Sequence, residues 1–327
     1  MNGWFRARKK ELLLLPLDLY AAGMVAYLLF RLLSTRIYIW PIEVVSAYLH
    51  LLLLPAIPLL ILAIVLKSRH TAILLGIGAL AYAVLFGEML LPHSTRSNPP
   101  DVITVMTYNT GNGVASWTDL ETSIRESGAD IVAIQESVAE EIPLYHRDLE
   151  GFYPYQVFHG SGLEGIGLLS RYPILHERLE YLASPRPYLV ADLEIDNRVL
   201  TVINGHPPVM FGPGAGEDDG RGDFAMVGDL ATGKKPAVIL GDLNISDQNE
   251  GYSALMRPEL TDVHRAVGIG LGLTYPRRFN SRWSTPIIRI DYILTTSDIE
   301  PVDIWLGDDG GSDHMPVLAT LGWRGEG

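Results

Sequence analysis

The chain has 327 residues, a formal net charge of −13 and 48% hydrophobic residues, but no cysteine. Disulfide scaffolds, zinc–thiolate sites and cysteine nucleophiles are therefore excluded. The charge is uneven: residues 1–100 carry nine basic and four acidic side chains, a net +5, whereas residues 101–327 carry sixteen and thirty-four, a net −18.

The first hundred residues read as membrane. Leu12–Phe30 is a nineteen-residue apolar run broken by Asp18, Val44–Leu66 has twenty-three residues without Asp, Glu, Lys or Arg, and Ala72–Leu91 has twenty with Glu88 its only charge. Each is long enough to cross a hydrocarbon core of about 30 Å as a helix. Three transmembrane helices are thus predicted in a membrane domain of residues 1–91, with Pro16, Pro55 and Pro58 as kink sites. Arg6, Arg8, Lys9, Lys10, Lys67 and Arg69 flank one side, against Arg31, Arg36 and Arg96 on the other. That bias predicts a cytoplasmic N-terminus and places everything after Leu91 outside the cytoplasm. Asp18, Glu43, His50 and Glu88 fit interhelical hydrogen bonding or interface anchoring better than a proton relay.

Residues 92–100 are polar, proline-rich and aperiodic, the pattern of a short linker. From Asp101 the chain changes to short β-rich runs with helices between them. Strands are predicted at Val102–Tyr108, Asp130–Gln135, Gly165–Ser170, Tyr188–Ile195, Val199–Asn204, Ala237–Leu240, Ile288–Leu294 and Val317–Leu321. Helices are predicted at Trp117–Glu126, Val138–Leu149, Phe224–Ala231 and Tyr252–Met256. Many strands with few helices suggest two packed sheets flanked by helices, in a soluble domain of residues 101–327.

The strand ends carry the chemistry. Asn109 follows an apolar strand, as do Glu136, Asn204 with His206, and Asp242 with Asn244; Asp291 and the pair Asp313–His314 stand beside two more. Buried strands that deliver polar groups to one rim build a site, because such groups are costly in a core without partners. Oxygen ligands without thiols suit a hard cation such as Mg²⁺ or Mn²⁺. A carboxylate to activate water, an amide to hold an oxyanion and a histidine near a metal suit attack on phosphorus.

The order of the motifs is more specific than any one of them. MTYN, IQE, GIGLLSRYPI, NGH, ILGDLN, RIDYIL and SDHMP, taken in sequence from about Val102 to Leu321, resemble the endonuclease/exonuclease/phosphatase (DNase I-like) superfamily. The resemblance implies an α/β (α+β) four-layer sandwich and a metal-dependent phosphoric ester hydrolase. It implies that Glu136 is the main metal ligand, with Asn109 in the same network, and that Asp313 touches a second metal. Asp242 would orient or deprotonate the attacking water, and Asn244 would hold the scissile phosphate. His314 would stabilise charge on a phosphate oxygen, Asp291 would fix its tautomer, and His206 would serve as general acid.

Spans before such a domain are similar to the arrangement in teicoplanin-resistance membrane proteins, which implies a lipid-linked phosphate or pyrophosphate as substrate, met at the bilayer. The acidic domain argues against nucleic acid, which needs a basic footprint. A tethered extracellular nuclease and a non-catalytic binding module are the alternatives, and no protein partner is indicated. Two local features stay open. Val209-Met210-Phe211 on a glycine-rich loop either grazes the membrane or packs incidentally. Arg277, Arg278 and Arg282 with Trp283 either clamp an anionic headgroup or offset nearby carboxylates.

Overall fold

The structure is a computed structural model that describes residues 2–33, 39–92, 99–209, 221–279 and 282–324. Most of the linker, Arg36, Arg96 and the segment Met210–Gly220 lie outside the described residues. So do the side chains of Arg278, Arg282 and Trp283. The chain divides into two compact units, Met1–Leu90 and Leu91–Gly327.

The first unit is helical: α1 (Asn2–Leu33), α2 (Trp40–Ala47), α3 (Leu49–Leu53), α4 (Ala56–Val65) and α5 (Arg69–Phe86). Two helices are long and apolar enough to cross a membrane, Leu14–Leu33 and Arg69–Phe86, and a third crossing exists if the bent pair Trp40–Ala47 and Leu49–Val65 is one span. The 70° bend falls at Tyr48, not at the prolines where kinks were expected. Pro55 does interrupt the helix between α3 and α4, but Pro16 lies inside a continuous α1. Polar groups join the helices. Asp18 accepts hydrogen bonds from Thr71 and lies 3.1 Å from His70 Nε2, and the Tyr27 hydroxyl meets Ser46 at 2.8 Å. Gly78 has room for Met24, whose Sδ would lie 2.5 Å from a Cβ there, the close approach that small residues permit between membrane helices.

The second unit begins with β1 (Val102–Asn109), α6 (Trp117–Glu126), β2 (Ile131–Gln135), α7 (Ile142–Leu149), β3 (Tyr155–His159) and β4 (Ile166–Ser170). It continues through β5 (Ile174–Glu180), β6 (Tyr188–Ile195), β7 (Arg198–Gly205), α8 (Arg221–Thr232), β8 (Ala237–Asp242) and α9 (Glu250–Leu255). It ends with β9 (Leu260–Asp262), α10 (Val263–Val267), a small ribbon of β10 (Arg278–Phe279) and β11 (Arg282–Trp283), then β12 (Asp291–Thr296), β13 (Ile299–Leu306) and β14 (Val317–Trp323). Two six-stranded sheets result, in the orders β13-β14-β1-β2-β4-β3 and β5-β6-β7-β8-β12-β9.

Alternation explains how the layers stack. In β2, Ile131 and Ala133 face the other sheet, while Val132 and Ile134 pack on Leu120 and Ile124 of α6 and Leu149 of α7. In β8, Val238 and Leu240 face inward, and Ala237 and Ile239 meet Phe224 and Val227 of α8 and Leu255 of α9. Both faces of these strands are buried, hence their unbroken apolar runs. This is the expected sandwich of two mixed sheets flanked by helices.

Each sheet contains one parallel pair, β1 with β2 and β7 with β8, and a helix lies between the two strands of each. All four strands therefore end at one rim. Strand β12 runs antiparallel to β8, so its first residue, Asp291, pairs with Asp242 there. Likewise β14 runs antiparallel to β1, which brings the residues before Val317 to the same rim.

Candidate active site

Asn109 closes β1, Glu136 follows β2, His206 follows β7, Asp242 closes β8, Asp291 opens β12, and Asp313–His314 precede β14. Hydrogen bonds then knit them together. Asn109 Nδ2 donates to Asp242 Oδ2 at 2.9 Å, and Asn109 Oδ1 accepts from the Gly111 amide at 2.9 Å. The Asn244 amide donates to Asp242 Oδ1 at 2.9 Å. That turn puts Asn244 in the left-handed region, φ 53°, which asparagine tolerates. The Asn244 side chain donates to the Pro207 carbonyl at 3.0 Å, tying the loop after β8 to the loop after β7.

Glu136 has φ 59°. For a residue with a Cβ this conformation costs on the order of 1–3 kcal/mol and tends to mark functional sites. It is held there by the Glu136 amide, which donates to the Gly165 carbonyl at 2.8 Å. Gly165 has no alternative, since a Cβ would lie 2.0 Å from the Ser137 carbonyl oxygen. Burial raises the Glu136 carboxyl above its ordinary range, the Asn109 side chain works against this, and the Asp242 and Asp313 carboxylates reinforce it. Burial likewise raises Asp242, with the Asp291 charge adding to it.

Two histidines face the same Asp242 Oδ2, His206 Nε2 at 3.6 Å and His314 Nε2 at 3.7 Å. Their surroundings differ. His206 Nδ1 lies 3.2 Å from the Leu163 carbonyl, which can only accept, so the proton sits on Nδ1. On that assignment its Nε2 carries the lone pair, with Arg186 Nη1 at 3.5 Å and the Glu136 carboxylate also at 3.5 Å. Burial pushes His206 down to about 4, with Arg186 and His314 also lowering it against Asp242. His206 is thus neutral at pH 7, with its lone pair turned into the site. A general-acid role would require it to gain a proton first.

His314 is the reverse case. Burial opposes its charge, yet the Asp291 and Asp242 carboxylates outweigh burial and raise it to about 10. Its Nδ1 is 3.0 Å from Asp291 Oδ2, the Tyr275 ring lies against it at 4.6 Å, and its amide donates to Ser312 Oγ at 3.1 Å. Ser312 in turn donates to the Asn109 carbonyl at 2.7 Å, fixing the loop to β1.

Eight of the nine strand-end residues singled out from the sequence meet at this rim; the ninth, Asn204, is buried between the sheets, where its side chain accepts from Gln135 and donates to the Ile134 and Gly167 carbonyls. Asp313 is the loosest of the eight: its Oδ1 is buried with no hydrogen-bond partner, and lies 2.7 Å from where a Gly111 Cβ would be. Two sets of side chains offer ligands to a divalent cation. Asp242, Asp291 and His314 present ligand atoms within 4.8 Å of one another, but the contact of His314 Nδ1 with Asp291 is already a hydrogen bond. Glu136, Asn109 and Asp313 offer oxygens only, with a buried unpartnered Asp313 Oδ1 and a carboxyl at Glu136 that burial keeps from ionising freely. That donor set fits a hard cation. Arg186 and Tyr275 escaped the sequence reading. Both lie in loops without periodicity, and nothing local marks Arg186 in SPRPYL as the partner of a histidine twenty residues on. Arg277 pairs with Asp309 at 2.8 Å, so of the two readings of that arginine it offsets a carboxylate.

The sequence model of the Endonuclease/Exonuclease/phosphatase family matches residues 106–314, more than half of the chain. Similar solved structures include an endonuclease/exonuclease/phosphatase from Beutenbergia cavernae, at 18% identity over 68% of this chain and 72% of that one, with a TM-score of 0.55. Another from Bacteroides vulgatus has 17% identity over 68% of this chain and all of that one (100%), with a TM-score of 0.56. The 3′ phosphatase NExo from Neisseria, bound to a product DNA hairpin, has 19% identity over 68% and 100%, with a TM-score of 0.55. At these identities the likeness is one of fold. No curated protein matches the chain.

Proposed function

Because the chain belongs to the endonuclease/exonuclease/phosphatase family, we propose that it is a membrane-anchored, metal-dependent phosphoric ester hydrolase acting on a lipid-linked phosphoester or phosphoanhydride outside the cytoplasm. The observation that carries the hydrolase reading is the Asp242 carboxylate, held by Asn109 and the Asn244 amide and faced by two oppositely tuned histidines.

Glu136, with Asn109 and Asp313, would hold a divalent cation such as Mg²⁺ or Mn²⁺, which when bound supplies positive charge beside the phosphoryl oxygens. The chain's own groups do the rest. Asp242 orients the attacking water and accepts its proton. The Asn244 amide, one hydrogen of which is fixed on Pro207, presents the other to a phosphoryl oxygen. The His314 imidazolium, kept charged by Asp291, stabilises the charge that develops on a second oxygen. Arg186, 3.5 Å from His206 Nε2, would offer a further cation to the phosphoryl group.

The rim favours a lipid substrate. Val114, Leu163 and Val209 are about half exposed, at 49%, 51% and 50%. They come from three loops tied to the site: Val114 packs by Gly111, the Leu163 carbonyl meets His206, and Val209 stands three residues after it. A polyanion would be served by cations at these places, and the domain's net −18 charge also opposes one.

The test is phosphate release in Mg²⁺ by the full-length protein, offered polyprenyl pyrophosphate, a phospholipid and plasmid DNA in turn. Asp242→Asn should lose at least about a hundredfold in turnover, and Glu136→Ala should raise the Mg²⁺ requirement as well. Cleavage of DNA alone would replace the lipid reading by a nuclease, and turnover that survives Asp242→Asn would refute the site.

A further inference from the structure

A cavity of about 540 Å³ lies beside the Asp291–His314 contact, within the range of roughly 300–1,000 Å³ usual for small-molecule sites. Asp291 forms part of its wall, as does Met315, the neighbour of His314. The rest is chiefly aliphatic and aromatic: Leu271, Leu273, Ile304 and Trp305. Its charged wall residues are already committed, Arg277 to Asp309 at 2.8 Å and Arg289 to Asp262 at 2.8 Å. Asp291 Oδ1 is buried there without a hydrogen-bond partner, so the cavity has one polar end, beside His314, and otherwise offers apolar contact.

One wall is a repeating sequence, Gly268-Ile-Gly-Leu-Gly-Leu273. Its even positions wrap His264, whose Nε2 meets the Gly270 carbonyl at 2.9 Å. A Cβ at Gly268 or Gly272 would lie 2.5 or 2.6 Å from that imidazole, and Gly270 and Gly272 have φ of 86° and 61°. Its odd positions, Ile269, Leu271 and Leu273, all line the cavity. The glycines thus let one short segment turn three aliphatic side chains the same way. Ile269, Trp305 and Leu306 stay exposed at 62%, 40% and 41%, an apolar mouth on an acidic domain.

We infer that this cavity receives the hydrocarbon chain of the substrate while the phosphoryl group sits at Asp242 and His314. The inference rests on the hydrolase reading above and narrows its substrate to one whose phosphate lies close to an unbranched or prenyl chain.

The test uses non-hydrolysable ethyl, butyl, hexyl and octyl phosphonates, titrated by calorimetry into the full-length protein in nanodiscs with Mg²⁺. Affinity should rise roughly fourfold per buried methylene until the cavity is full. Leu271→Trp, which fills the cavity, should abolish that rise while binding ethyl phosphonate as before. Leu273→Ser should weaken octyl but not ethyl phosphonate, which serves as the check on folding in both variants. Equal affinity along the series, or a rise that Leu271→Trp leaves intact, would overturn the cavity assignment and leave the phosphoryl site standing. Failure of every phosphonate to bind the wild-type protein would instead overturn the phosphoryl site, and the cavity with it.

Discussion

One carboxylate oxygen, Asp242 Oδ2, lies within 3.7 Å of two imidazoles that its surroundings drive apart, His206 to about 4 and His314 to about 10. Groups pushed apart in this way reveal their roles. At neutral pH His314 is the cation and His206 the neutral partner. The sign of the pH dependence follows. On the proposed role of His314, activity needs it protonated, so kcat/KM should fall on the alkaline side as pH rises through about 10. Asp291 is the strongest influence raising that value, after the opposing burial, so Asp291→Asn should lower it. The alkaline limb should then move to lower pH, as read from kcat/KM against pH, which reports the free enzyme. A limb that stays in place would mean that another group sets it. The resemblance paired Asp291 with His314, but the opposite tuning of the two histidines was not legible in the sequence. The Asp291–His314 contact joins residues 23 apart, and the Arg186 that depresses His206 comes from a loop whose wording gives no hint of it.

At the scale of elements, legibility followed burial. The central strands β1, β2, β4, β6, β7 and β8 are buried along most of their length, and the sequence placed each of them to within two residues. All four edge strands escaped: β9 has only three residues, and β3, β5 and β13 have wet outer faces and sequences that mix His176, Glu177 and Arg178 or carry Pro301. Helix α7 begins at Ile142 rather than Val138, with Pro143 in its first turn, where proline is favoured. The glycine of ILGDLN has a reason that only the register exposes. Gly241 pairs with Gly205 across the parallel strands, and a Cβ there would lie 2.1 Å from the Gly205 carbonyl oxygen. Gly241→Ala should cost about 1–3 kcal/mol by overpacking, measured by urea unfolding. It should cost activity more steeply, about a hundredfold if Asp242 shifts by an ångström. A buried ion pair steadies the neighbouring strand: Arg289 holds both Asp262 oxygens, at 3.0 and 2.8 Å, and Tyr252 donates to Asp262 as well. Arg289→Met would strand that carboxylate and should destabilise the protein by about 3–5 kcal/mol, whereas removing both partners should cost less. Equal losses in the single and double variants would show that the pair itself contributes little.

At the scale of the whole molecule, the direction of the helices bears on which side of a membrane the catalytic unit occupies. Asp18 of α1 meets Thr71 of α5, and six residues further along α1, Met24 meets Gly78, seven further along α5. The two helices therefore run in the same direction. If the bent pair of α2 with α3 and α4 entered and left the membrane on one side, α5 would have to cross in the direction opposite to α1. Parallel packing fits a bent pair that makes the return crossing, which supports the proposed three spans; on that reading the two ends of the chain lie on opposite sides. The bend at Tyr48 then belongs to a broken span. The basic residues Arg6, Arg8, Lys9 and Lys10 ahead of the apolar stretch Leu14–Leu33, with Lys67 and Arg69 at the start of α5, favour the proposed orientation with the N-terminus inside. A fluorescent protein that matures only in the cytoplasm should stay dark when fused after Gly327 and glow when fused before Met1. An alkaline phosphatase that folds only outside should give the reverse pattern. Two bright fluorescent fusions would mean an even number of crossings and a re-entrant middle segment, and a lipid substrate would then have to be met on the cytoplasmic leaflet.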